Sequence, residues 1–243
     1  MPRFFIADNP AAGSEYRIYN EDARHISRSL RMRAGEELVL CTHSGVDCLC
    51  EIAGIHENEV HLRVLKCKPN ESETRAPVSV YQCLPKSDKL ELIIQKSTEL
   101  GAVRVVPVES CRCISKPDKW EKKLVRLEKI ALEAAKQSGR GRVPEVLSPM
   151  KLEAALRQAA AQGEVIFFYE AAGEPLKQIL MRIPPDAPIA VFVGPEGGFS
   201  PEEAGLAAAL GAGIATLGRR ILRTETAAPA ALAMILYERG EMQ

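Results

Sequence analysis

Two glycine-containing loops carry the residue types best suited to binding a ligand. VGPEGGFSPEE (193–203) places Glu196 among glycines, and LGRRILRTETA (217–227) places three arginines beside Thr224 and Glu225. Glycine lets the backbone turn tightly or approach a ligand closely. A purely structural role explains the same residues, because arginines pair with surface glutamates and threonines cap helices. Two loops of the same construction favour a binding site over two simple connections.

The charge of the first loop limits which ligand it can hold. Ser200, Pro201 and Glu203 are typical of a helix start with a capping box, and Glu202 adds a second carboxylate to the first turn. These acids complement the positive end of the helix dipole and repel a phosphate. No Gly-Lys-Ser/Thr triplet follows, and G-P-E-G-G-F does not fit G-x-G-x-x-G. The sequence therefore favours a neutral or cationic ligand over a phosphate-rich cofactor.

The elements that must position these loops alternate between strand and helix. Near-continuous apolar strands are predicted at PVSVYQCL (77–84), VRVVPV (103–108), EVIFFY (164–169), PIAVFV (188–193) and GIATL (213–217). Such strands, separated by helices, predict a parallel sheet covered on both faces. Ligands bind beyond the carboxyl ends of strands in sheets of this kind, and both loops and the Tyr169-Glu170 junction follow a strand.

The intervening helices have recognisable ends. Helical spacing predicts a helix over 88–100, with Asp88 and Glu91 as a capping pair and Gly101 as its stop. Further helices are predicted from about Pro117 to Gln137, near EPLKQILM, from Pro201, and from Pro229 to the end.

The first 70 residues have a different pattern of apolar and polar residues. Short alternating stretches such as ELVLCT and DCLCEI, separated by turn-like HSGVD and HENE, predict a small antiparallel β unit, barrel-like, with one helix near NEDARHISRSLRMRAG. KPNESETRAP (68–77) is polar and has no apolar period, which is typical of a linker. We expect two domains, at 1–70 and 74–243.

Composition excludes several classes of protein. The 243 residues carry 32 basic and 32 acidic side chains, so attraction to nucleic acid must come from local patches. No apolar run approaches the roughly 20 residues of a membrane span, and no signal peptide is visible, so we expect a cytoplasmic protein without a membrane partner. The seven cysteines and four histidines share no metal-ligand spacing. Buried free thiols are favoured over disulfides, and we expect no metal.

Four motifs, in this order along the chain, closely resemble the RsmE family of ribosomal RNA methyltransferases in the SPOUT superfamily. They are KSDKLELIIQKSTELGAVRVVPV, EAAKQSGRGRVPEV, VGPEGGFSPEE and LGRRILRTETA, and the initial RFF and DARHISRSLRMRAGEEL resemble that family's PUA-like domain. The resemblance implies an α/β fold of the SPOUT type, with a parallel sheet knotted as a trefoil, helices on both faces and a preceding PUA-like β-barrel. It implies a homodimer that methylates N3 of one uridine in small-subunit (16S) ribosomal RNA, free or in the assembled 30S subunit.

The resemblance also implies the cofactor, S-adenosyl-L-methionine, whose sulfonium cation agrees with the charge of the first loop. Three loops are expected to hold it, through Tyr169, Glu170, Ala171, Val193, Gly194, Pro195, Glu196, Gly197, Gly198, Leu217, Gly218, Ile221, Leu222, Arg223 and Thr224.

Two basic segments are the candidates for contact with RNA phosphates. The first contains Arg24, Arg28, Arg31 and Arg33, of which the first three are predicted to share a helical face. The second, around KQSGRGRVP, contains Lys136, Arg140 and Arg142. A solvated surface explains either segment equally simply.

The implied reaction requires the N3 proton to leave as the methyl group arrives. Arg223 is the candidate to stabilise the developing uridine anion, and Glu225 or Glu196 to accept the proton directly or through water. Structural pairing is the alternative for each. Two other functions remain open on the residues alone, namely a non-catalytic RNA-binding factor for ribosome assembly and a nucleotide-dependent oxidoreductase.

Overall fold

The structure is a computed structural model that describes residues 1–242, and these form two compact units. The first contains Met1–Glu73 and Ala135–Arg142, and the second contains Thr74–Ala134 and the chain from residue 143 onward. The division after Glu73 falls in the polar segment 68–77. Residues 135–142, which the sequence prediction assigned to the second domain, belong to the first unit.

The first unit is built on a five-stranded sheet of order β1-β3-β4-β5-β2. Its strands are β1 (Arg3–Ile6), β2 (Glu15–Tyr19), β3 (Glu37–Thr42), β4 (Val46–Ile55) and β5 (Glu59–Pro69). Pairing is antiparallel except between β1 and β3. Alternate residues such as Leu38, Leu40, Ile52 and Leu62 are buried, as the period-two pattern predicts. The mainly antiparallel β unit expected from the sequence is therefore confirmed.

The cysteine prediction is partly wrong. Cys48 on β4 lies opposite Cys67 on β5, and the two form a disulfide. Cys111 is a free thiol but is exposed rather than buried. The other cysteines, Cys41, Cys50, Cys83 and Cys113, are buried free thiols as predicted. The spacing of cysteines along one strand does not show which residue the neighbouring strand places opposite, so the pairing was not visible in the sequence.

The predicted arginine face of the first helix is also wrong. The helix α1 (Asn20–Arg24) passes into a π-helical turn at His25–Ser29, and the helical segment ends there. Arg31 follows with φ of 54°, in the left-handed region, so its side chain cannot share a face with Arg24 and Arg28 through helical periodicity. All four arginines of the segment 24–33 are nevertheless exposed.

The second unit contains an eight-stranded parallel sheet whose strands follow the order β11-β13-β10-β12-β6-β7-β8, with β9 paired to β7. The strands are β6 (Val78–Cys83), β7 (Arg104–Glu109), β8 (Glu145–Val146), β9 (Met150–Lys151), β10 (Glu164–Phe168), β11 (Glu174–Pro175), β12 (Ile189–Val193) and β13 (Gly213–Thr216). All pairings are parallel. The predicted parallel sheet is confirmed, and its central strands β12 and β6 are buried almost throughout.

The helices in this part of the chain contribute buried side chains to the core of the parallel sheet. They are α2 (Lys89–Glu99), α3 (Trp120–Gln137), α4 (Leu152–Ala160), α5 (Leu176–Leu180), α6 (Pro201–Ala209) and α7 (Thr224–Glu238). Buried side chains from α2 and α7, such as Ile93, Ile94 and Leu232, join those of the strands in one apolar core. Within residues 1–242, no helix combines the length and apolar character needed to cross a membrane.

The observed helix ends confirm some of the predicted capping and stop residues and contradict others. The capping box at α6 is confirmed, because Ser200 Oγ accepts from Glu203 N–H and the Glu203 carboxylate accepts from Ser200 N–H. Gly101, with φ of 99°, follows the end of α2 as expected. The capping pair at Asp88 is wrong, since the Asp88 side chain makes no cap and the Glu91 carboxylate pairs with Arg126 instead.

The start of α7 differs from the prediction. The helix begins at Thr224, with Arg223 as its N-cap residue, and Pro229 lies inside it. Proline is most favoured in the first turn, because further inside a helix it removes one backbone hydrogen bond and its ring crowds the carbonyl four residues earlier. The sequence from Thr224 to Ala228 is therefore helical rather than part of the preceding loop, which places Glu225 in the first turn.

Candidate active site

A cleft of about 370 Å³ opens at the carboxyl ends of three adjacent strands of the parallel sheet. These strands, β10, β12 and β13, are followed by the Tyr169-Glu170 loop, the loop 194–198 and the loop 217–223. The cleft is lined by Lys89, Phe168, Tyr169, Glu170, Val193, Gly194, Pro195, Glu196, Gly198, Ala215, Thr216, Leu217, Gly218, Arg220, Ile221, Leu222, Arg223, Thr224 and Ala227. Its volume is within the roughly 300–1,000 Å³ typical of small-molecule sites.

The structure brings together most of the residues predicted for the cofactor. Ala171 and Gly197 are the two members of that set outside the lining residues. The predicted cofactor set did not include Phe168, Ala215 and Ala227, which complete the apolar walls, or the polar lining residues Lys89, Thr216 and Arg220. Strand ends were a usable signal for Phe168 and Thr216, since these residues precede the predicted loops directly.

The loop 194–198 is shaped by two glycines that accept no larger residue without movement. Gly198 N–H donates to the Pro195 carbonyl at 2.9 Å, and Gly198 has φ of 63°. A Cβ atom at Gly198 would overlap the Glu170 carboxylate, and one at Gly194 would lie 3.2 Å from the Gly198 backbone. The loop therefore folds back tightly on itself, with the carboxylate of the neighbouring loop against it.

A buried network fixes this loop to the start of α7. Thr224 Oγ1 donates to the Gly194 carbonyl at 2.7 Å and accepts from Gln82 Nε2 at 2.8 Å. Gln82, at the end of β6, is fully buried. On the outer side of the loop, Arg112 Nη1 donates to the Gly197 carbonyl at 2.8 Å. Side chains from three separate segments thus hold the loop before any ligand arrives, which is the preorganisation that tight binding favours.

Charged groups gather on one side of the cleft. The Lys89 ammonium lies 3.1 Å from Glu196 Oε1 and 3.2 Å from Glu225 Oε2. The Lys86 backbone N–H also donates to Glu196 Oε1 at 3.1 Å. Its contacts with Glu196 and then with Glu225 raise the pKa of Lys89, so its side chain stays cationic.

The two carboxylates are held in their ionised form. For Glu196, burial acts to raise the pKa, but hydrogen bonds from its own backbone N–H, from Lys89 and from the Lys86 N–H together lower it. For Glu225, a hydrogen bond from its own backbone N–H is the main cause of a lowered pKa, burial opposes it, and Lys89 adds to it. Both groups are therefore ionised at neutral pH, the form that is able to accept a proton.

The loop after β13 is open by comparison. Arg220 and Arg223 are exposed at the cleft, and Ile221 is 86% exposed. Gly218 has φ of 99°, and a Cβ atom there would meet open space. This side of the cleft therefore presents cationic and apolar groups to solvent, whereas the opposite side has its polar groups already paired.

The basic segments of the first unit differ in availability. Arg24, Arg28, Arg31 and Arg33 are exposed, and the Arg24 side chain donates to Asn58 Oδ1 at 3.1 Å. In the second segment, Arg142 is exposed and the Lys136 ammonium lies 5.6 Å from the centre of the Phe4 ring.

Arg140 has a structural environment. It is 2% exposed, and its guanidinium contacts both carboxylate oxygens of Glu73, at 2.6 and 3.2 Å. The same carboxylate accepts from the backbone N–H groups of Gly141 and Arg142. This bidentate pair leaves Arg140 no exposed face for a phosphate.

No cluster of three or more histidine, cysteine, aspartate or glutamate side chains suited to a metal ion occurs in the described part of the chain.

Comparison with known families agrees with this architecture. Residues 72–236 match a family model described as an RNA methyltransferase domain, and residues 18–71 match one described as an RNA methyltransferase PUA domain. The two matches define the class: an RNA methyltransferase domain preceded by a PUA domain.

Full-length relatives narrow the class. The chain is 33% identical to ribosomal RNA small subunit methyltransferase E of Bacillus subtilis, over 98% of this chain and 97% of that protein. The enzyme of the same name from Mycobacterium bovis is 32% identical, over 96% and 90%. The crystal structure of the Neisseria gonorrhoeae enzyme bound to S-adenosyl methionine has a TM-score of 0.89 and 30% identity, covering 98% of each chain. The chain belongs to the ribosomal RNA small subunit methyltransferase E family, which confirms the resemblance seen in its motifs.

Proposed function

We propose that this protein transfers a methyl group from S-adenosylmethionine to N3 of one uridine in small-subunit ribosomal RNA. The observation that carries the proposal is the cleft at the ends of β10, β12 and β13, in a chain of this family. Its preformed glycine loop and its carboxylates match the ligand that the sequence favours, one that is cationic and lacks phosphates.

The residues present fit this cofactor. Apolar side chains such as Phe168, Leu217 and Leu222 offer a surface for a purine ring, which prefers apolar walls with few polar groups. Glu170, against the Gly198 backbone, adds a carboxylate at the rim. A sulfonium and an amino group are both attracted by carboxylates, whereas the phosphates of a nucleotide would be repelled by them.

The chain's own residues supply positioning and charge. When bound, S-adenosylmethionine provides an electrophilic methyl group and leaves with a neutral sulfur. Uridine N3 forms the new bond and loses its proton, which passes to the Glu196 or Glu225 carboxylate directly or through water. The Arg223 guanidinium, exposed at the cleft, stabilises negative charge that develops on the uridine oxygens.

The first unit is proposed to bind the RNA backbone. Exposed Arg24, Arg28, Arg31 and Arg33, together with Arg142, offer guanidinium groups that can contact phosphates, which position RNA without reading its sequence. Lys136 is partly exposed and is kept among the proposed RNA-binding residues. Arg140 is left out of them, because it pairs with Glu73 inside the protein.

Several finer features are part of the same proposal. We infer a homodimer, a trefoil knot in the second unit, and action in the cytoplasm on ribosomal RNA, free or within the 30S subunit. Membership of the family supports each of them, and the chain's zero net charge is compatible with local rather than global attraction to RNA.

Calorimetric titration separates this function from its two rivals. We expect S-adenosylmethionine to bind the purified protein and NAD to give no heat of binding. Binding of NAD alone would favour a nucleotide-dependent oxidoreductase. Absence of binding by either would favour a non-catalytic factor for ribosome assembly.

A further inference from the structure

Lys89 connects three segments at the cleft. It is the first residue of α2, and its ammonium contacts Glu196 from the loop after β12 and Glu225 from the first turn of α7. The lysine and the two carboxylates are between 18% and 27% exposed, so this is neither a fully solvated pair nor a buried one. One cation therefore serves two acids that come from different loops of the same site.

Among the described residues, Lys89 is the cation that contacts both carboxylates. Glu225 Oε2 is buried and, within residues 1–242, has no hydrogen-bond partner of good geometry, so the ammonium 3.2 Å away is the charge that offsets it. The other groups that stabilise the charge of one acid each are the backbone N–H groups of Lys86 and Glu196 at Glu196, and the Glu225 N–H and the Arg223 charge at Glu225. None of these reaches both acids.

Two carboxylates beside the same nitrogen lie close to each other. Without a cation between them, like charges disfavour ionisation of both, and the pKa of at least one group rises. A protonated carboxyl cannot accept a proton from N3, and the repelled side chains would also leave their positions. An ion pair on an exposed surface would have little effect on the ionisation or the position of its carboxylate. At the cleft, one ammonium shared by two acids controls both their ionisation and their positions.

We propose that Lys89 is a positioning residue for methyl transfer, which holds Glu196 and Glu225 together beside the reacting uridine. The inference rests on the proposed function, because it assigns the N3 proton to one member of this carboxylate pair. It makes the pair, rather than either glutamate alone, the acceptor site.

Two substitutions separate the charge of Lys89 from its shape. Lys89→Met keeps most of the side chain and removes the cation, whereas Lys89→Arg keeps the cation. We expect kcat of Lys89→Met to fall by about tenfold to a hundredfold, which reaches only the lower end of what acid–base groups contribute. KM for RNA and the affinity for S-adenosylmethionine should change by less than about threefold. Lys89→Arg should recover most of the lost kcat.

The pH profile and the carboxyl groups provide readouts that a purely structural role would not move. The acidic limb of the kcat profile should shift to higher pH in Lys89→Met, because the acceptor is then protonated at pH values where the wild type is ionised. Carbon-13 NMR of labelled glutamates, assigned with Glu196→Gln and Glu225→Gln, should show a raised pKa for at least one of the two. Lys96→Met is the matched control, since Lys96 lies on the same helix and pairs locally, with Glu99.

Specific outcomes would overturn the inference. Unchanged carboxyl pKa values in Lys89→Met would remove Lys89 from the role of holding the pair. A large loss of cofactor affinity with kcat retained would make it a cofactor ligand instead. If the wild type itself methylates no small-subunit RNA, the proposed function fails, and the NMR titration still decides whether Lys89 holds the two acids ionised.

Discussion

The cleft of the second unit and the arginine segment 24–33 of the first unit are both polar, but their polar groups are arranged in opposite ways. In the cleft, Thr224, Gln82, Lys89 and Glu196 already have partners within the protein. In the segment 24–33, the exposed arginines come from the end of α1, from the π-helical turn and from the irregular stretch that follows it. A preorganised network suits one small ligand of fixed shape, whereas exposed cations suit a long polyanion held by many similar contacts.

This difference predicts how each region responds to substitution. A single change in the network should have a large effect, because neighbouring groups depend on one another. Changes among the exposed arginines should be small singly and nearly additive.

The largest effect is expected from Gly198→Val. A β-branched residue at a φ of 63° costs roughly 1–3 kcal/mol, and its Cβ meets the Glu170 carboxylate. Because each 1.4 kcal/mol is tenfold in affinity, this strain alone corresponds to a rise of up to about a hundredfold in the dissociation constant for S-adenosylmethionine, and displacement of the Glu170 carboxylate raises it further. Calorimetric titration measures this, and circular dichroism checks that the fold persists.

Gly205→Val is the matched control for this change. Gly205 lies in α6, where an added Cβ meets nothing within 4 Å. Its affinity for the cofactor should equal that of the wild type. Normal affinity in a folded Gly198→Val variant would mean that the loop 194–198 does not hold the cofactor.

An intermediate effect is expected from Arg223→Ala, at the open edge of the cleft. The guanidinium is proposed to act mainly on the transition state, so kcat should fall by about a hundredfold while cofactor affinity is retained. Lys should restore little, since an ammonium lacks the planar fork that contacts two oxygens at once. Methyl-transfer assays at saturating cofactor, beside a binding titration, provide both numbers. Lost cofactor binding would reassign Arg223 to the donor pocket, and unchanged kcat would remove it from the reaction.

The smallest effect per residue is expected in the first unit. Replacing Arg24, Arg28 and Arg31 together with Ala should weaken RNA binding and reduce the log–log salt slope by roughly 0.7 to 0.9 for each lost phosphate contact. Cofactor affinity should stay constant. The control replaces Arg17 and Arg63, which already pair with Glu59 and Glu51, and it should change the slope less. If the triple variant keeps the wild-type slope, the segment 24–33 is a solvated surface that does not contact RNA phosphates.

The parts of the fold that the sequence predicted correctly are those governed by local patterns. Continuous apolar runs identified the five main strands, and Ser200 with Glu203 identified a helix start that the structure confirms. Both glycine-containing loops and the Tyr169-Glu170 junction follow predicted strands, where ligands bind, and the family resemblance assigned all three to the cofactor. Local chemistry also misled, as at Pro229, where a residue typical of a first turn lies inside a helix whose start is fixed by the contacts of Thr224.

The features that escaped prediction depend on residues far apart in the chain. Lys89 meets Glu225 across 136 positions, Cys48 meets Cys67 through strand register, and Arg140 is buried by Glu73. Charge and spacing in the sequence marked Arg140 as a surface cation just as they did Arg28. Only the folded arrangement separates a paired side chain from an available one.

The most direct test of the account is the identity of the methylated atom. The purified protein should be incubated with S-adenosylmethionine and small-subunit ribosomal RNA, both free and assembled into subunits from cells that lack the gene, and the nucleosides identified by mass spectrometry. The account predicts N3-methyluridine at one position in the RNA, absent from the untreated material. A methyl group on another atom or another base, or no methylation of either substrate, would contradict it.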